Sequence, residues 1–180
     1  MMSLSLICRT FHRNPWKTWG IIGLGAIGRR VAEVARAFGA KVIYYSASGA
    51  PAQEGYEQVD FETLLTQSDI ISVHAPLNEH TEGLINSKAF EKMRSSCIFL
   101  NLGRGPIVDE QALYNALVRN QIAAAGLDVL CEEPMSADNP LVQFKDSKRL
   151  LITPHIAWAS VEARTHLMEI IHGQVKDFFA

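Results

Sequence analysis

Three side chains in the second half of the sequence, Arg104, Glu133 and His155, are of the types that can together reduce a 2-keto acid. Histidine titrates near neutral pH, so it can donate a proton to the forming alkoxide and accept it in the reverse direction. A carboxylate beside the histidine stabilises its charged form and orients the ring. A guanidinium grips a planar carboxylate through two parallel hydrogen bonds. The remaining requirement is a hydride source fixed beside these groups.

Each of these residues also has an ordinary structural explanation. Arg104 lies between two glycines and, taken alone, is better interpreted as a solvated loop arginine. A lone histidine such as His155 is more often a structural residue than a catalytic one. Glu133 precedes a proline and is consistent with an ordinary turn residue. We interpret His74 as structural and Cys131 as a bystander near the predicted site.

A hydride source is indicated by the run Gly23-Leu-Gly25-Ala-Ile-Gly28, which fits the pattern G-x-G-x-x-G. The run follows a predicted strand and opens a predicted helix, which is the context in which the pattern predicts dinucleotide binding. Gly23 permits the tight turn, Gly25 lets a pyrophosphate approach the backbone, and Gly28 lets the helix pack closely on the strand. The free N–H groups at the start of the helix then face the phosphates. The alternative is a glycine-rich turn without a ligand.

The second predicted strand does not end in the acidic residue that would hold the 2′-hydroxyl of an adenosine ribose. It is followed by Ser46-Ala-Ser48, and the nearest acid is Glu54. Ser46 can hydrogen-bond a ribose but cannot repel a 2′-phosphate as a carboxylate would, and no arginine close by in the sequence offers to bind that phosphate. We therefore expect NAD as the cofactor, with NADP not excluded.

Short β-rich runs alternate with amphipathic stretches from residue 19 onward, which predicts a parallel sheet with right-handed crossovers. The predicted strands lack regular polar alternation, as expected when helices cover both faces of a sheet. We therefore predict a three-layer α/β/α domain with a doubly wound parallel sheet, the Rossmann architecture. The predicted strands are 19–23, 41–45, 56–59, 69–73, 97–101, 122–127 and 150–153, and the predicted helices are 26–38, 61–66, 87–92, 109–119 and 161–178.

The informative polar residues fall directly after predicted strands, and ligands of an open parallel sheet bind beyond the carboxyl ends of its strands. The segment His74-Ala-Pro76 follows the fourth strand, Gly103-Arg104-Gly105 the fifth, Asp128 the sixth and Pro154-His155 the seventh. Together with the glycine turn, five segments then converge on one edge of the sheet. We expect Asp128 to contact the nicotinamide end of the cofactor and to set the face of its ring.

The composition excludes several other classes of protein. The chain has 180 residues, of which 48% are hydrophobic and 20% charged, so we expect one ordinary globular domain. The net charge of −2 without a basic face argues against nucleic acid as a partner. Three cysteines and six histidines show neither a disulfide framework nor metal-ligand spacing, so we expect no metal and a reducing, cytoplasmic setting. The apolar start lacks the features of a signal peptide, and no run is long enough to span a membrane.

Three longer motifs resemble those of the D-isomer-specific 2-hydroxyacid dehydrogenase family. Asn101-Leu-Gly-Arg104-Gly-Pro-Ile-Val-Asp109-Glu110 is similar to its arginine motif, Gly126-Leu-Asp128-Val-Leu-Cys-Glu-Glu133-Pro134 to its aspartate and glutamate segment, and Thr153-Pro-His155-Ile-Ala-Trp158 to its histidine motif. The order of the motifs also matches, and the resemblance runs from about Trp19 to the end of the chain. The stretch 42–48, with Trp158 after the histidine, looks most like bacterial members of the glycerate or hydroxypyruvate type.

This resemblance implies an oxidoreductase that transfers hydride between NAD(H) and a small 2-hydroxy or 2-keto acid. It also implies that Arg104 binds the substrate, that Glu133 assists, and that His155 is the acid and base. Pro76 and Thr81 lie along the cofactor by the same resemblance. The residues that we expect to bind the cofactor are Gly23, Gly25, Ala26, Ile27, Gly28, Ser46, Pro76, Thr81, Leu102, Gly103, Arg104, Asp128 and His155.

The substrate domain that family members carry, mostly ahead of the glycine turn, has no counterpart in this sequence. We expect residues 1–18 to be the remnant of a family helix, residues 19–180 to form the dinucleotide-binding domain, and the substrate domain to be absent. Whether the chain alone is an enzyme stays open. The alternative is a truncated, non-catalytic NAD-binding domain that forms a homodimer, because the family's cofactor domains make the dimer contact. A dinucleotide-sensing regulator is a third hypothesis.

Overall fold

Runs of Ile, Val, Leu and small residues form the strands of one parallel sheet in the computed structural model, which describes residues 17–179. All six strand pairings are parallel, and the strand order is β3-β2-β1-β4-β5-β6-β7. The order reverses direction between β1 and β4, where a doubly wound sheet opens its ligand crevice. The strands are β1 (Thr18–Ile22), β2 (Lys41–Tyr45), β3 (Glu57–Gln58), β4 (Ile70–Val73), β5 (Ile98–Asn101), β6 (Ala124–Leu127) and β7 (Leu150–Ile152).

Five α-helices alternate with these strands, and polar residues fix where most of them begin. The helices are α1 (Ala26–Ala37), α2 (Phe61–Gln67), α3 (Ser87–Lys92), α4 (Glu110–Val118) and α5 (Val161–Phe178), with short 3₁₀ turns at Gly105–Ile107 and Pro140–Gln143. Asp60, Asn86, Asp109 and Ser160 each accept a hydrogen bond from a backbone N–H in the first turn of the helix that follows. Such caps satisfy N–H groups that have no partner within the helix. Asp109 is therefore the cap of α4 rather than its first residue.

Helix α1 packs on one face of the sheet and helices α2, α3 and α4 pack on the other, which confirms the predicted three-layer α/β/α architecture. The larger core lies under α2, α3 and α4, where Phe90 and Phe99 pack edge to face with ring centroids 5.6 Å apart. The smaller core lies under α1, where Ala32 and Ala35 pack against Ile21 of β1. Both cores converge on β1, so the turn that follows this strand is held from both sides of the sheet.

The face of α1 that packs on the sheet differs from the predicted one. The helical spacing of Val31, Val34, Ala35 and Phe38 in the sequence predicts one apolar face. Ala35 is buried and Val31 packs against the core, but the side chains of Val34 and Phe38 are 54% and 63% exposed. The buried residues of α1 are Gly28, Ala32 and Ala35. Small side chains allow the axis of α1 to approach the sheet closely. At these positions the need for close packing outweighs hydrophobicity.

The last helix, α5, has the predicted bounds, and none of its residues is buried. Its apolar residues Leu167, Ile171, Val175 and Phe178 are between 41% and 83% exposed. Their spacing of three and four residues places them in one row along the helix. We call this set the apolar row of α5.

The helix predicted for residues 1–18 lies outside the described residues, except for Lys17 and for Thr18, which begins β1. Among residues 17–179, no helix combines the length and the apolar character needed to cross a bilayer.

Candidate active site

The turn between β1 and α1 gives each of its three glycines the geometry that a dinucleotide requires. Gly23 has a φ of 91°, in the left-handed region that favours glycine. A Cβ on Gly25 would meet no atom within 4 Å, so the open space beside its backbone is available to a ligand. A Cβ on Gly28 would lie 2.2 Å from the carbonyl oxygen of Gly23, so only glycine lets α1 pack this closely.

A cavity of about 260 Å³ lies beside this turn, and we call it the small cavity. Loops after β2 and β4 form its other walls. Thr81, which is buried, donates from Oγ1 to the carbonyl oxygen of Pro76 at 2.7 Å and thereby shapes the second loop. Five of the residues predicted to bind the cofactor line the small cavity: Gly23, Gly25, Ser46, Pro76 and Thr81.

A second cavity, of about 550 Å³, is lined by residues of α1, of strands β1, β4 and β5, and of the loops after β4, β5, β6 and β7, and we call it the large cavity. Trp19, Leu100 and Trp158 contribute apolar walls. The predicted site residues that line the large cavity are Ile27, Leu102, Arg104, Asp128 and His155. Ala26, Gly28 and Gly103, which we also predicted to bind the cofactor, do not line either cavity.

His74 lies where the two cavities meet, because it lines both of them. Its Nε2 is 3.1 Å from the hydroxyl of Ser72, which also accepts a hydrogen bond from the indole N–H of Trp19 at 2.9 Å. Its Nδ1 is buried and has no hydrogen-bond partner among the described residues. Burial lowers the pKa of His74 to about 4, so this side chain is neutral at neutral pH.

Arg104 follows β5 in a loop that the side chain of Asn101 holds in place. The amide nitrogen Nδ2 of Asn101 donates to the carbonyl oxygen of Arg104 at 3.0 Å, and its Oδ1 accepts the N–H of Gly103 at 3.1 Å. A Cβ on Gly105 would lie 1.9 Å from the carbonyl oxygen of Leu130. Glycine at 105 therefore lets the arginine loop pack directly on the segment that leads to Glu133.

Glu133 and His155 form a pair at the carboxyl edge of the sheet. Oε2 of Glu133 is 2.8 Å from Nδ1 of His155, and Oε1 accepts the backbone N–H of Leu130 at 2.9 Å. The N–H of Leu130 and the bond to His155 together hold the pKa of the Glu133 carboxyl below its usual value. Both side chains are more than a third exposed, at 38% and 40%, so solvent reaches the pair. With Nδ1 engaged, Nε2 is the ring nitrogen left to exchange a proton with a ligand.

The backbone at His155 is unusual. Its φ is 53°, in the left-handed region that residues other than glycine rarely adopt. The carboxylate of Asp128 holds this loop by accepting the backbone N–H groups of Ile156 at 3.0 Å and Ala157 at 2.8 Å. It also accepts the hydroxyl of Thr153 at 2.5 Å. Asp128, which directly follows β6, therefore holds the loop that carries His155 in place.

Asp128 thus has a structural role that the sequence did not indicate. We predicted a direct contact between Asp128 and the nicotinamide, and both carboxylate oxygens of this residue are occupied by the His155 loop. Burial alone would raise the pKa of Asp128, but the bonds from Thr153, Ala157 and Ile156 outweigh it and hold this pKa below its usual value. The carboxylate is consequently ionised at neutral pH.

Two further expectations concern cysteine and metal. Partial burial of the sulfur, reinforced by the nearby carboxylate of Glu110, raises the pKa of Cys131 to about 11, so its thiol is protonated and a weak nucleophile at neutral pH. Within residues 17–179 there is no group of three or more His, Cys, Asp or Glu side chains placed to hold a metal ion.

Gln53 is a residue of the site that no sequence pattern indicates. It lines the small cavity, and its Nε2 donates to the carbonyl oxygen of Leu24 in the glycine turn at 2.8 Å. Its Oε1 accepts from Nη1 of Arg29 at 3.2 Å, and its own N–H donates to the hydroxyl of Tyr44 at 2.8 Å. The side-chain amide of Gln53 therefore joins the loop after β2 to the glycine turn. No local sequence pattern predicts this contact.

A parallel sheet of seven strands, with G-x-G-x-x-G at the point where the strand order reverses, defines a dinucleotide-binding Rossmann domain. The family model for the NAD binding domain of D-isomer specific 2-hydroxyacid dehydrogenases matches residues 9–157. The chain belongs to this family, as the three motifs predicted.

Curated relatives and solved structures agree with this assignment. The hydroxypyruvate reductase of Blautia hydrogenotrophica is 44% identical over 90% of this chain and 50% of its own length. The D-lactate dehydrogenase from Aquifex aeolicus, solved with NAD and lactic acid, has a TM-score of 0.82 and 31% identity over 91% of this chain and 53% of that one. A probable 2-hydroxyacid dehydrogenase from Rhizobium etli, solved with NADP, has a TM-score of 0.74 and 28% identity over 89% of this chain and 52% of that one. The chain spans about half the length of the curated relatives it matches.

Proposed function

We propose that this chain provides the cofactor site and the acid–base group of an NAD-dependent oxidoreductase that interconverts a small 2-keto acid and its D-2-hydroxy acid. The observation that carries the proposal is the pair of Glu133 and His155, joined at 2.8 Å beside a cavity that Arg104 also lines. Three separate segments of the chain carry these residues, yet Glu133 contacts His155, and His155 and Arg104 line the same cavity. The matched family supports the reaction class.

The geometry fits a dinucleotide that spans the two cavities. Open space at Gly25 and the N–H groups that open α1 suit a pyrophosphate. The small cavity then takes the adenosine, and the large cavity takes the nicotinamide, with its apolar walls against the ring. His74, with its unpartnered Nδ1 at the junction, lies where the cofactor passes from one cavity to the other.

The roles of the chain's own residues follow from this placement. When bound, NAD(H) supplies or takes up the hydride. Arg104 holds the substrate carboxylate and so fixes the distance of the carbonyl carbon from the nicotinamide. His155 donates from Nε2 to the carbonyl oxygen as the alkoxide forms, and takes the proton back in the oxidation. Glu133 stabilises the imidazolium and fixes the ring, and Asp128 fixes the loop that carries it.

The test is a calorimetric titration of the purified chain with NADH, followed by an absorbance assay at 340 nm with hydroxypyruvate and glyoxylate. We expect NADH to bind and either substrate to be reduced. The His155→Ala variant should lose turnover while retaining NADH binding, and His166→Ala, which removes an exposed histidine of α5, is the matched control. Binding without turnover would leave the alternative, a non-catalytic cofactor domain, and no binding would refute the proposal.

We infer in addition that two copies of the chain associate. The support is the apolar row of α5, whose four side chains are exposed along an 18-residue helix. An Ile171→Glu variant should shift the mass measured by light scattering toward that of the monomer. Thr165→Glu places the same charge about 120° around α5 from Ile171, outside the apolar row, and serves as the control. A wild-type chain that is monomeric at all concentrations would refute this inference.

We propose that the protein acts in the cytoplasm. The support is that Cys97 and Cys131 are both free thiols among the described residues, which is typical of a reducing compartment. Fractionation of cells that express the tagged protein tests the proposal, and recovery in a secreted fraction would contradict it.

A further inference from the structure

Glu110, the first residue of α4, binds the loop that carries Glu133 at both of its ends. Oε1 of Glu110 accepts the backbone N–H of Cys131 at 2.8 Å, and Oε2 accepts the side-chain amide Nδ2 of Asn139 at 2.7 Å. These two partners lie 21 and 29 positions further along the chain, one on each side of Glu133. We call residues 131–139 the Glu133 loop. One carboxylate therefore holds the whole of this loop against the start of α4.

The far end of the Glu133 loop is anchored in the protein interior. Asn139 is buried, and its Oδ1 accepts the backbone N–H of Leu141 at 2.9 Å. Leu141 belongs to the larger core and is 2% exposed. The amide of Asn139 thus connects Glu110 to the core, so the far end of the loop cannot shift without breaking a hydrogen bond between buried groups.

The near end of the loop transmits the contact with Glu110 to the Glu133 carboxylate. The peptide that joins Leu130 to Cys131 packs with its oxygen against Gly105 and donates its N–H to Glu110. Because a peptide unit is planar, these two contacts fix the backbone of Leu130. The N–H of Leu130 in turn donates to Oε1 of Glu133 at 2.9 Å. The path from Glu110 to the acid–base pair is therefore one peptide and one hydrogen bond long.

A simpler explanation of Glu110 is that an acid in the first turn of a helix suits the positive end of the helix dipole. Glu162 has the same place in α5, where it is exposed. The dipole is served by any orientation of such a side chain. Glu110 is instead half-buried, with both of its oxygens engaged by the Glu133 loop. The dipole does not account for this geometry.

We propose that Glu110 is a positioning residue for the acid–base pair, since it sets where the carboxylate of Glu133 meets the ring of His155. Glu110 is not among the residues that line the large or the small cavity, so it acts through the Glu133 loop and not on a ligand. The proposal rests on the proposed function, in which Glu133 assists His155.

The kinetic test uses Glu110→Gln and Glu110→Asp. The glutamine has one accepting atom, and the aspartate keeps the charge but is too short to reach both ends of the loop. Each variant should lower kcat for hydroxypyruvate roughly tenfold, because a small misplacement of a catalytic group is costly. The KM for hydroxypyruvate and the affinity for NADH should stay at their wild-type values. Glu162→Gln, the matched control, should change none of these quantities. Wild-type kcat in Glu110→Asp would show that charge, and not position, is the role of Glu110.

A second readout needs neither cofactor nor substrate. The N–H of Leu130 is the first cause of the lowered pKa of the Glu133 carboxyl, so this pKa should rise toward its usual value in Glu110→Gln. A ¹³C NMR titration of the Glu133 carboxyl measures the change in variants shown to be folded by circular dichroism. A variant that is only less stable would titrate as wild type does.

The two readouts separate this proposal from the function on which it rests. If the Glu133 titration is unchanged in Glu110→Gln, the positioning role is overturned, whatever happens to kcat. If the wild-type chain reduces no 2-keto acid, the proposed activity is wrong for this chain, and the ¹³C titration alone still decides whether Glu110 positions Glu133. A raised pKa of Glu133 together with a lowered kcat is the result that we expect.

Discussion

The carboxylate of Glu133 is held at both of its oxygens, by the backbone N–H of Leu130 at 2.9 Å and by Nδ1 of His155 at 2.8 Å. A carboxylate fixed in this way cannot rotate away from the imidazole without losing a second hydrogen bond. The pair therefore holds the orientation of the His155 ring even though solvent reaches both side chains. This rigidity underlies the first prediction.

Glu133→Gln should reduce turnover of a 2-keto acid roughly 10- to 100-fold and leave the affinity for NADH unchanged. The amide keeps the size of the side chain, but it carries no charge to stabilise the imidazolium. Steady-state rates at 340 nm measure the loss, and ¹⁵N chemical shifts of His155 report the altered tautomer. Glu132→Gln removes a neighbouring exposed carboxylate and should have no effect. Wild-type turnover with an unaltered His155 spectrum would rule out the role given to Glu133.

Asp128→Asn should loosen the loop that carries His155. The asparagine side chain has only one accepting atom, its amide oxygen. Its NH₂ group would therefore face the backbone N–H of Ile156 or Ala157, each of which now donates to the carboxylate. An unsatisfied buried group of this kind costs about 1–3 kcal/mol. Urea unfolding measures that cost, and hydrogen exchange should become faster at the amides of Ile156 and Ala157. Unchanged protection at both amides would contradict the positioning role.

The free energy of unfolding should fall as the pH is lowered from about 6.5 to about 4, in part because of His74. Burial lowers the pKa of His74 from 6.5 to about 4, so in this window the unfolded chain binds a proton that the folded chain does not. Stability therefore rises with pH through the window, by up to about 1.4 kcal/mol per pH unit for one proton. His74→Gln should flatten this slope, and His166→Gln should not. Equal slopes for wild type and His74→Gln would show that His74 does not titrate as described.

Two glycine substitutions should separate folding from binding. Gly105→Ala would place a Cβ 1.9 Å from the carbonyl oxygen of Leu130, and we expect it to destabilise the fold by roughly 1–3 kcal/mol. Gly25→Ala adds a Cβ in open space and should cost at most about 1 kcal/mol, yet it should weaken NADH binding strongly. Thermal unfolding and calorimetry make the two measurements. Equal NADH affinity in Gly25→Ala would mean that the cofactor does not approach the glycine turn.

The elements of this fold are predictable from the sequence because their signals are local. Most strands are short, largely apolar runs, and the G-x-G-x-x-G run marks the first turn. Arg104 and His155 follow β5 and β7 closely, so parallel topology alone places both at one edge of the sheet. The packed face of α1 was predicted only in part: Ala35 is buried as predicted, but Val34 and Phe38 are exposed, and small residues that allow closeness to the sheet take their place.

Contacts between distant segments account for what the sequence could not predict. Arg29 meets Gln53, and Asp128 meets the backbone after His155, only because the sheet brings their loops to the same edge. Neither contact has a residue pattern of its own: an amide side chain in a loop and an aspartate after a strand have many ordinary explanations. Their roles become visible once hydrogen-bond partners are assigned.

No residue of α5 is buried, so the stability of this helix depends on the surface that covers it. An isolated helix of 18 residues is marginal in water, because most helical stability in proteins comes from the packing of an apolar face. The surface that covers the apolar row of α5 therefore contributes the packing free energy that stabilises this helix. The rest of the described chain does not contribute it. If that surface is a second copy, dilution should lower the melting temperature of the whole protein by mass action.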